Sequence, residues 1–177
     1  MRLKERNVIC LVENDFEDLE LYYPILRLQE EGANVEVVGP QQHNSYKGKN
    51  GLSVRADQGY AQIDPDDYDA LFIPGGWAPD KLRRSEHVLS IVRRMEESQR
   101  PIGQICHAGW VLASAGIAQG KRLTSTPGIK DDMINAGADW VDESSVVDGH
   151  LVSARRPYDL PDMMPDFIQL VAELEYA

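Results

Sequence analysis

A cysteine followed directly by a histidine, Cys106-His107, is the clearest chemical signal in the chain. A short apolar strand pattern ends at this cysteine, and a helical pattern begins there. A thiol at the N-terminus of a helix lies near the positive end of the helix dipole, which stabilises the thiolate. The position favours a nucleophile over a buried structural cysteine, and it predicts a lowered pKa for the Cys106 thiol.

The other candidate side chain at this joint is His107, which has two possible roles. Its ring can act as a general base or a nearby cation, or the residue can contribute only its backbone N–H, since adjacent helical residues point in different directions. Cys10 lies inside an apolar strand pattern between Ile9 and Leu11, and we interpret it as a structural residue.

Two further segments hold groups that could act on a substrate. Glu17 opens the first predicted helix, where it either supplies favourable charge or shares a proton with the Cys106 thiol as a buried carboxylate. Gly75-Gly76 follows an apolar run and forms either a tight turn or a backbone donor to an oxyanion. Asp80, taken alone, has the character of a surface or capping residue.

Strand-like and helix-like segments alternate along the chain. Strand patterns cover 7–12, 35–38, 70–73 and 102–105, helical patterns cover 16–31, 85–95, 129–136 and 160–174, and hairpin signals lie at 50–51 and 148–149. This order predicts an α/β fold with a mostly parallel sheet that is covered on both faces. Functional groups in such folds collect at the carboxyl ends of strands, so loop 13–17, turn 74–76 and Cys106-His107 should converge.

The first predicted helix has an apolar repeat at helical spacing. Phe16, Leu19, Tyr23 and Leu26 form this repeat, and Asn14 or Asp15 can cap the helix.

Composition narrows the class of protein. The chain has 177 residues and a net charge of −11, which argues against nucleic acid or an anionic membrane as a partner. The apolar run near the N-terminus is too short for a signal peptide or a membrane span, so a cytoplasmic location is expected. Two cysteines without zinc-ligand spacing indicate neither a disulfide framework nor a metal site, and no cofactor is expected.

Five stretches, taken together, resemble a known family. They are 16–20 (Phe-Glu-Asp-Leu-Glu), 74–80 (Pro-Gly-Gly-Trp-Ala-Pro-Asp), 105–107 (Ile-Cys-His), 124–137 (Thr-Ser-Thr-Pro-Gly-Ile-Lys-Asp-Asp-Met-Ile-Asn-Ala-Gly) and 152–160 (Val-Ser-Ala-Arg-Arg-Pro-Tyr-Asp-Leu). In this order they are similar to the PfpI-type intracellular cysteine peptidases. That family belongs to the class I glutamine amidotransferase-like superfamily, which includes the parkinsonism-linked deglycase.

The resemblance implies a flavodoxin-like three-layer sandwich that forms one domain over residues 1–177. It implies that Cys106 is the nucleophile on a strained elbow, that His107 is its triad partner and that Glu17 is the acid beside the cysteine. Asp80 matches the third triad member, which a neighbouring subunit contributes in this family. The resemblance therefore implies a homo-oligomer, either a dimer or a hexamer.

Four more residues match positions around the substrate in this family. Gly76, next to Gly75, and the backbone of His107 match the oxyanion donors, while Trp77 and Thr126 surround the pocket. Threonine stands at 126 where some relatives carry tyrosine.

Three functions are compatible with these residues. The first is a stress-protection hydrolase of the glyoxalase or deglycase type, which acts on methylglyoxal or its protein adducts. The second is an ATP-independent intracellular cysteine peptidase. The third is a non-catalytic redox sensor or chaperone that responds to oxidation of Cys106. We favour the first, because an aldehyde is a better electrophile than an amide and leaves no amine to protonate.

Overall fold

The predicted alternation of strands and helices builds a layered α/β structure in the computed structural model, which describes residues 1–174. The strands are β1 (Asn7–Leu11), β2 (Asn34–Gly39), β3 (Ser45–Lys47), β4 (Ser53–Arg55), β5 (Gln58–Gly59), β6 (Ala70–Ile73), β7 (Ile102–Ile105), β8 (Arg122–Leu123), β9 (Asp139–Trp140), β10 (Val146–Asp148) and β11 (Leu151–Ala154). The helices are α1 (Asp18–Glu30), α2 (Ala78–Leu82), α3 (Glu86–Glu97), α4 (Gly109–Ala115), α5 (Lys130–Asn135) and α6 (Leu160–Ala172).

The central sheet has seven strands in the order β10-β11-β7-β6-β1-β2-β5. Neighbouring strands are parallel except β10, which pairs antiparallel with β11 across the predicted hairpin. Helices α1 and α6 contact each other, and helices α2 to α5 form a second connected group. The order β2-β1-β6-β7-β11 is the flavodoxin-like order, so the predicted three-layer α/β fold is confirmed.

Two predicted local features, a hairpin and a helix cap, are confirmed. The hairpin predicted at 50–51 joins β3 and β4, and Ser85 caps the N-terminus of α3 through its side chain. The single-domain prediction for 1–177 stays a prediction, and its last three residues, 175–177, lie outside the described part of the chain.

The apolar repeat of α1 does not mark its buried face. Leu19 and Leu26 are more than half exposed, whereas Glu20, Leu21 and Leu28 are fully buried. Residues 19, 23 and 26 of the repeat therefore mark the outer face of this helix. Its first member, Phe16, is buried in the loop that precedes α1. The predicted capping residue of α1 is wrong, because Glu17, and not Asn14 or Asp15, accepts a hydrogen bond from the first helical turn.

Adjacent strands bring three distant segments to one edge of the sheet. β1 pairs with β6 and β6 pairs with β7, so the loops that follow their carboxyl ends are neighbours. A bridge between Phe16 and Gly76 ties the first loop to the second, and Trp77 N donates to Asp15 O at 2.8 Å. Within residues 1–174, no helix is both long enough and apolar enough to cross a bilayer.

Candidate active site

Cys106 lies on a strained turn between β7 and α4. Its φ of +64° is in the left-handed region, which a residue with a side chain rarely adopts. One turn of 3-10 helix, Cys106–Ala108, follows before α4 begins. Thr126 N donates to Cys106 O at 3.2 Å and so holds the turn against the neighbouring loop. The turn places the thiol in a cavity at the carboxyl edge of the sheet.

Two backbone N–H groups donate hydrogen bonds to the Cys106 thiol, one from Gly76 and one from His107. Gly76 has a φ of +79°, and a Cβ at this position would come within 2.4 Å of Glu17 N. Only glycine therefore fits this close approach. Because the two donors converge where negative charge would develop, they can stabilise an oxyanion or the thiolate.

A buried carboxyl group, Glu20, is the acid that contacts the thiol. It is fully buried, and its Oε2 accepts a hydrogen bond from Gly75 N at 2.8 Å. Within the described residues, its Oε1 is buried without a hydrogen-bond partner and is available to carry a proton. Gly75, which we predicted beside Gly76 as an oxyanion donor, instead fixes this carboxyl group.

Burial controls the proton balance of the Cys106–Glu20 pair. Burial, with a smaller contribution from the negative charge of Glu17, raises the pKa of Glu20 to about 8, so Glu20 is protonated at neutral pH. Burial and the Glu20 charge raise the pKa of Cys106 to about 12. The lowered pKa predicted for Cys106 is therefore not found, because burial outweighs the backbone donors and only a 3-10 turn follows the residue. When the Cys106–Glu20 pair has lost one proton, the remaining proton on Glu20 can still form a hydrogen bond to the thiolate sulfur.

Glu17, the acid predicted beside Cys106, performs another task. Its Oε2 accepts from Glu20 N at 2.9 Å, and its Oε1 accepts from Asn50 Nδ2 at 3.3 Å. Glu17 thus caps α1 and lies in the wall of the cavity, while Glu20, one turn later, contacts the thiol. Glu20 was not predicted as a site residue, because the apolar repeat of α1 does not indicate that a glutamate lies on its buried face.

The His107 ring lies against the sulfur, with Nδ1 at 3.3 Å from Cys106 Sγ. Trp77 and Trp110 flank the ring, each with a centroid separation of 5.0 Å. Burial, with a smaller effect from the charge of Lys49, lowers the pKa of His107, so the ring is neutral at pH 7. The ring and the backbone N–H of His107 thus both lie at the sulfur, and their roles as base and donor stay predictions.

Asp80 does not reach the cavity of its own subunit. It lies in α2, where its carboxylate forms an exposed ion pair with Arg84 at 3.1 Å. A role for Asp80 in catalysis would therefore require a second copy of the chain, and this contribution stays a prediction.

The cavity in front of Cys106 has a volume of about 280 Å³. Six of the predicted residues line it, namely Glu17, Gly76, Trp77, Cys106, His107 and Thr126. Four residues that were not predicted as site residues also line it: Glu20, Lys49, Arg156 and Pro157. Lys49 lies outside the five stretches that carry the resemblance, whereas Arg156 lies within 152–160 without an assigned role, and only the fold brings both to the cavity. Among residues 1–174, no group of three or more His, Cys, Asp or Glu side chains could hold a metal ion.

Comparison with known proteins gives relatives over nearly the whole chain. The model of the DJ-1/PfpI family matches residues 6–170. A deglycase of Pyrococcus horikoshii is 46% identical over 164 residues, which are 93% of this chain and 98% of that protein. The deglycase PfpI of Pyrococcus furiosus is 43% identical with the same coverage.

Solved structures show the same fold. The DJ-1beta structure of Drosophila melanogaster matches with a TM-score of 0.88 at 27% identity, covering 95% of this chain and 91% of that one. A two-domain protein of Anabaena variabilis, which has a DJ-1/ThiJ/PfpI-like domain and a ferritin-like domain, matches with a TM-score of 0.92 at 37% identity. The match covers 93% of this chain and 48% of that protein.

Proposed function

This chain belongs to the DJ-1/PfpI family, and we propose that it is a cysteine-dependent hydrolase of small reactive carbonyl compounds and their amine adducts. The observation that carries the proposal is the contact of the Cys106 thiol with the protonated Glu20 carboxyl and with the N–H groups of Gly76 and His107. A nucleophile, a proton carrier and an oxyanion site thus meet at one sulfur atom. The names of the Pyrococcus relatives support deglycase chemistry.

The size of the cavity favours a small carbonyl compound over a peptide. A volume of about 280 Å³ has room for on the order of ten water molecules. A two- or three-carbon aldehyde fits this space, whereas an extended peptide needs a longer groove.

The reaction with a 2-oxoaldehyde proceeds in three balanced steps. Cys106 Sγ bonds to the aldehyde carbon, and the carbonyl oxygen takes up the proton that the pair releases, giving a hemithioacetal. The aldehyde C–H proton then moves, through Glu20 or His107, to the ketone carbon, and the hemithioacetal O–H proton moves to the ketone oxygen, which leaves a thioester of a 2-hydroxy acid. Water cleaves the thioester and restores the thiol. The aldehyde carbon is oxidised by two electrons and its neighbour is reduced by two, so no external oxidant is needed.

An amine adduct enters the same sequence after its carbon–nitrogen bond breaks. The nitrogen leaves with a proton, which Glu20 or His107 supplies, and the sulfur takes its place on the carbon. The amine is thereby released intact, as a protein-repair function requires.

The proposal is tested by measuring conversion of methylglyoxal to lactate by the wild type and by Cys106→Ser. We expect turnover that disappears in Cys106→Ser and persists in Cys10→Ala, since Cys10 is buried in β1 away from the cavity. Release of free amine from a methylglyoxal adduct should follow the same pattern. A folded wild type that forms no lactate and releases no amine, or an equal rate in Cys106→Ser, would overturn the proposal.

A further inference from the structure

Two cationic side chains, Lys49 and Arg156, line the Cys106 cavity and are not neutralised within the described subunit. Lys49 lies in the β3–β4 hairpin, and Arg156 lies in the loop between β11 and α6. Both are exposed, and neither forms a salt bridge with any residue in 1–174. An unpaired guanidinium at a substrate cavity is suited to a planar anion, to which it can donate two parallel hydrogen bonds.

The neighbouring arginine provides a contrast within the same loop. Arg155 donates through Nε to Asp159 at 2.9 Å and through Nη1 to Asp142 at 2.9 Å. Its charge is therefore used to hold the loop together. Arg156, one position later, forms no such ion pair with another residue of 1–174 and is one of the residues that line the cavity.

The charges around the sulfur add up to a positive value in the resting state. Lys49 and Arg156 contribute +2 and Glu17 contributes −1, whereas Glu20, Cys106 and His107 are neutral at pH 7, so the sum is +1. The charge of Lys49 reaches the reacting groups, since it affects the pKa of both Glu20 and His107. This local excess contrasts with a net charge of −11 for the whole chain.

We propose that this cavity selects carbonyl substrates that carry a carboxylate, and that Arg156 is the specificity-determining residue, with Lys49 as the second cation. The substrate class is a small carbonyl compound, or its adduct with an amine or thiol, that bears a free carboxylate near the electrophilic carbon. The carboxylate binds Arg156, and the carbonyl carbon is thereby presented to Sγ. The reaction assigned to such a substrate rests on the proposed function, while the anion subsite itself does not.

The subsite is tested with two alkylating agents of nearly equal size, iodoacetate and iodoacetamide. Iodoacetate transfers a carboxymethyl group to Sγ and iodoacetamide transfers a carbamidomethyl group, each with loss of iodide and of the thiol proton, but only iodoacetate is an anion. The rate ratio of iodoacetate to iodoacetamide at Cys106, measured by intact mass, should exceed the ratio for free N-acetylcysteine at the same pH. A change in the pKa of the thiol affects both reagents equally and cancels from this ratio.

Arg156→Gln should lower the ratio about tenfold, which matches the loss of one charge-assisted hydrogen bond. The exposed position of Arg156 means that this variant folds. The control is Arg94→Gln on α3. This variant removes the same charge from an exposed ion pair with Asp66 and should leave the rate ratio unchanged. Lys49→Gln should lower the ratio by a smaller factor, since a lysine donates as a single point charge.

The result is independent of turnover. The anion subsite is refuted, even in an active enzyme, if the rate ratio of iodoacetate to iodoacetamide at Cys106 in the wild type does not exceed the ratio for N-acetylcysteine. It is also refuted if Arg156→Gln keeps the wild-type ratio. If the preference is present but no carbonyl compound is turned over, the subsite stands and the proposed function fails. In an active enzyme, KM for the methylglyoxal adduct of N-acetylcysteine should be lower than KM for the adduct of its amide, and Arg156→Gln should remove this difference.

Discussion

At the residue scale, the chemistry depends on which of two glutamates, one helical turn apart, contacts the Cys106 thiol. Glu17 and Glu20 both line the cavity, but Glu17 caps α1 while Glu20 contacts the sulfur. Their environments assign them different tasks, because a fully buried carboxyl holds its proton and a capping carboxylate accepts N–H groups.

We expect Glu20→Gln to lower kcat/KM for methylglyoxal by about a hundredfold or more, since the amide cannot transfer a proton. Glu17→Gln should change it by less than about tenfold, because its amide oxygen can still accept from Glu20 N. The measurement is lactate formation by both purified variants. A larger loss in Glu17→Gln than in Glu20→Gln would show that the proton carrier is Glu17.

Glu20 also makes stability dependent on pH. Its pKa is about 8 in the folded chain and near the ordinary value of 4.5 in the unfolded chain, so the folded state binds the extra proton between these values. The stabilisation from neutral Glu20 is complete below pH 4.5 and is lost as pH rises through 8. Glu20→Gln, which is neutral at every pH, should raise Tm at pH 9 by several degrees relative to the wild type, with little change at pH 5. Equal shifts at both pH values in thermal scans would mean that Glu20 is ionised in the folded protein at pH 5.

At the scale of elements, the turns determine the geometry of the site, because the loops that follow β1, β6 and β7 must approach one another closely. Gly76 shows this constraint most clearly, since its missing side chain leaves room for the backbone of loop 13–17. The strain at Cys106 is held by the same packing, through the bond from Thr126 N to Cys106 O.

A matched pair of glycines separates close approach from backbone conformation. Gly76 and Gly116 have φ values of +79° and +78°, but a Cβ at Gly116 meets open space. Gly116→Ala should therefore lose only about 1–2 kcal/mol of stability, the conformational penalty, and keep its activity. Gly76→Ala should lose more stability in urea unfolding and nearly all lactate formation, because the shifted loop removes the oxyanion donor. Equal effects of the two substitutions would rule out close approach as the reason for glycine at 76.

A stripe of exposed apolar side chains on α1 concerns the whole molecule. Leu19, Tyr23 and Leu26 recur at one-turn spacing and are exposed in the isolated subunit. Such a stripe is suited to contact with another subunit, and it supports the oligomer that the resemblance implies. Asp80, exposed on α2, could then complete a site in the neighbouring copy.

A contribution of Asp80 across subunits predicts complementation. Cys106→Ser and Asp80→Ala should each be inactive or nearly so, and subunit exchange in a mixture of the two should restore activity. In a dimer, half of the mixed molecules contain one intact site of two, so about a quarter of the wild-type rate is expected. A chain that is monomeric by light scattering and fully active as Asp80→Ala would exclude this role.

The sequence by itself determined the order of the elements and the candidate nucleophile. Strand and helix periodicity is local, so the alternation that produces a parallel sheet could be read from short windows, and the joint at Cys106 could be located at the end of β7. The rule that loops converge at the carboxyl ends of parallel strands then placed Gly76 near Cys106.

Only the tertiary structure decided which acid contacts the sulfur, where its proton resides and which cations face the substrate. The apolar repeat at Leu19, Tyr23 and Leu26 resembles a core face, and only the packing of α1 on the sheet shows that Glu20 is buried instead. Proton affinity depends on burial and on charges from distant segments, and Lys49 and Arg156 reach the cavity from loops that no local pattern connects. These properties arise from segments that meet only in the folded chain.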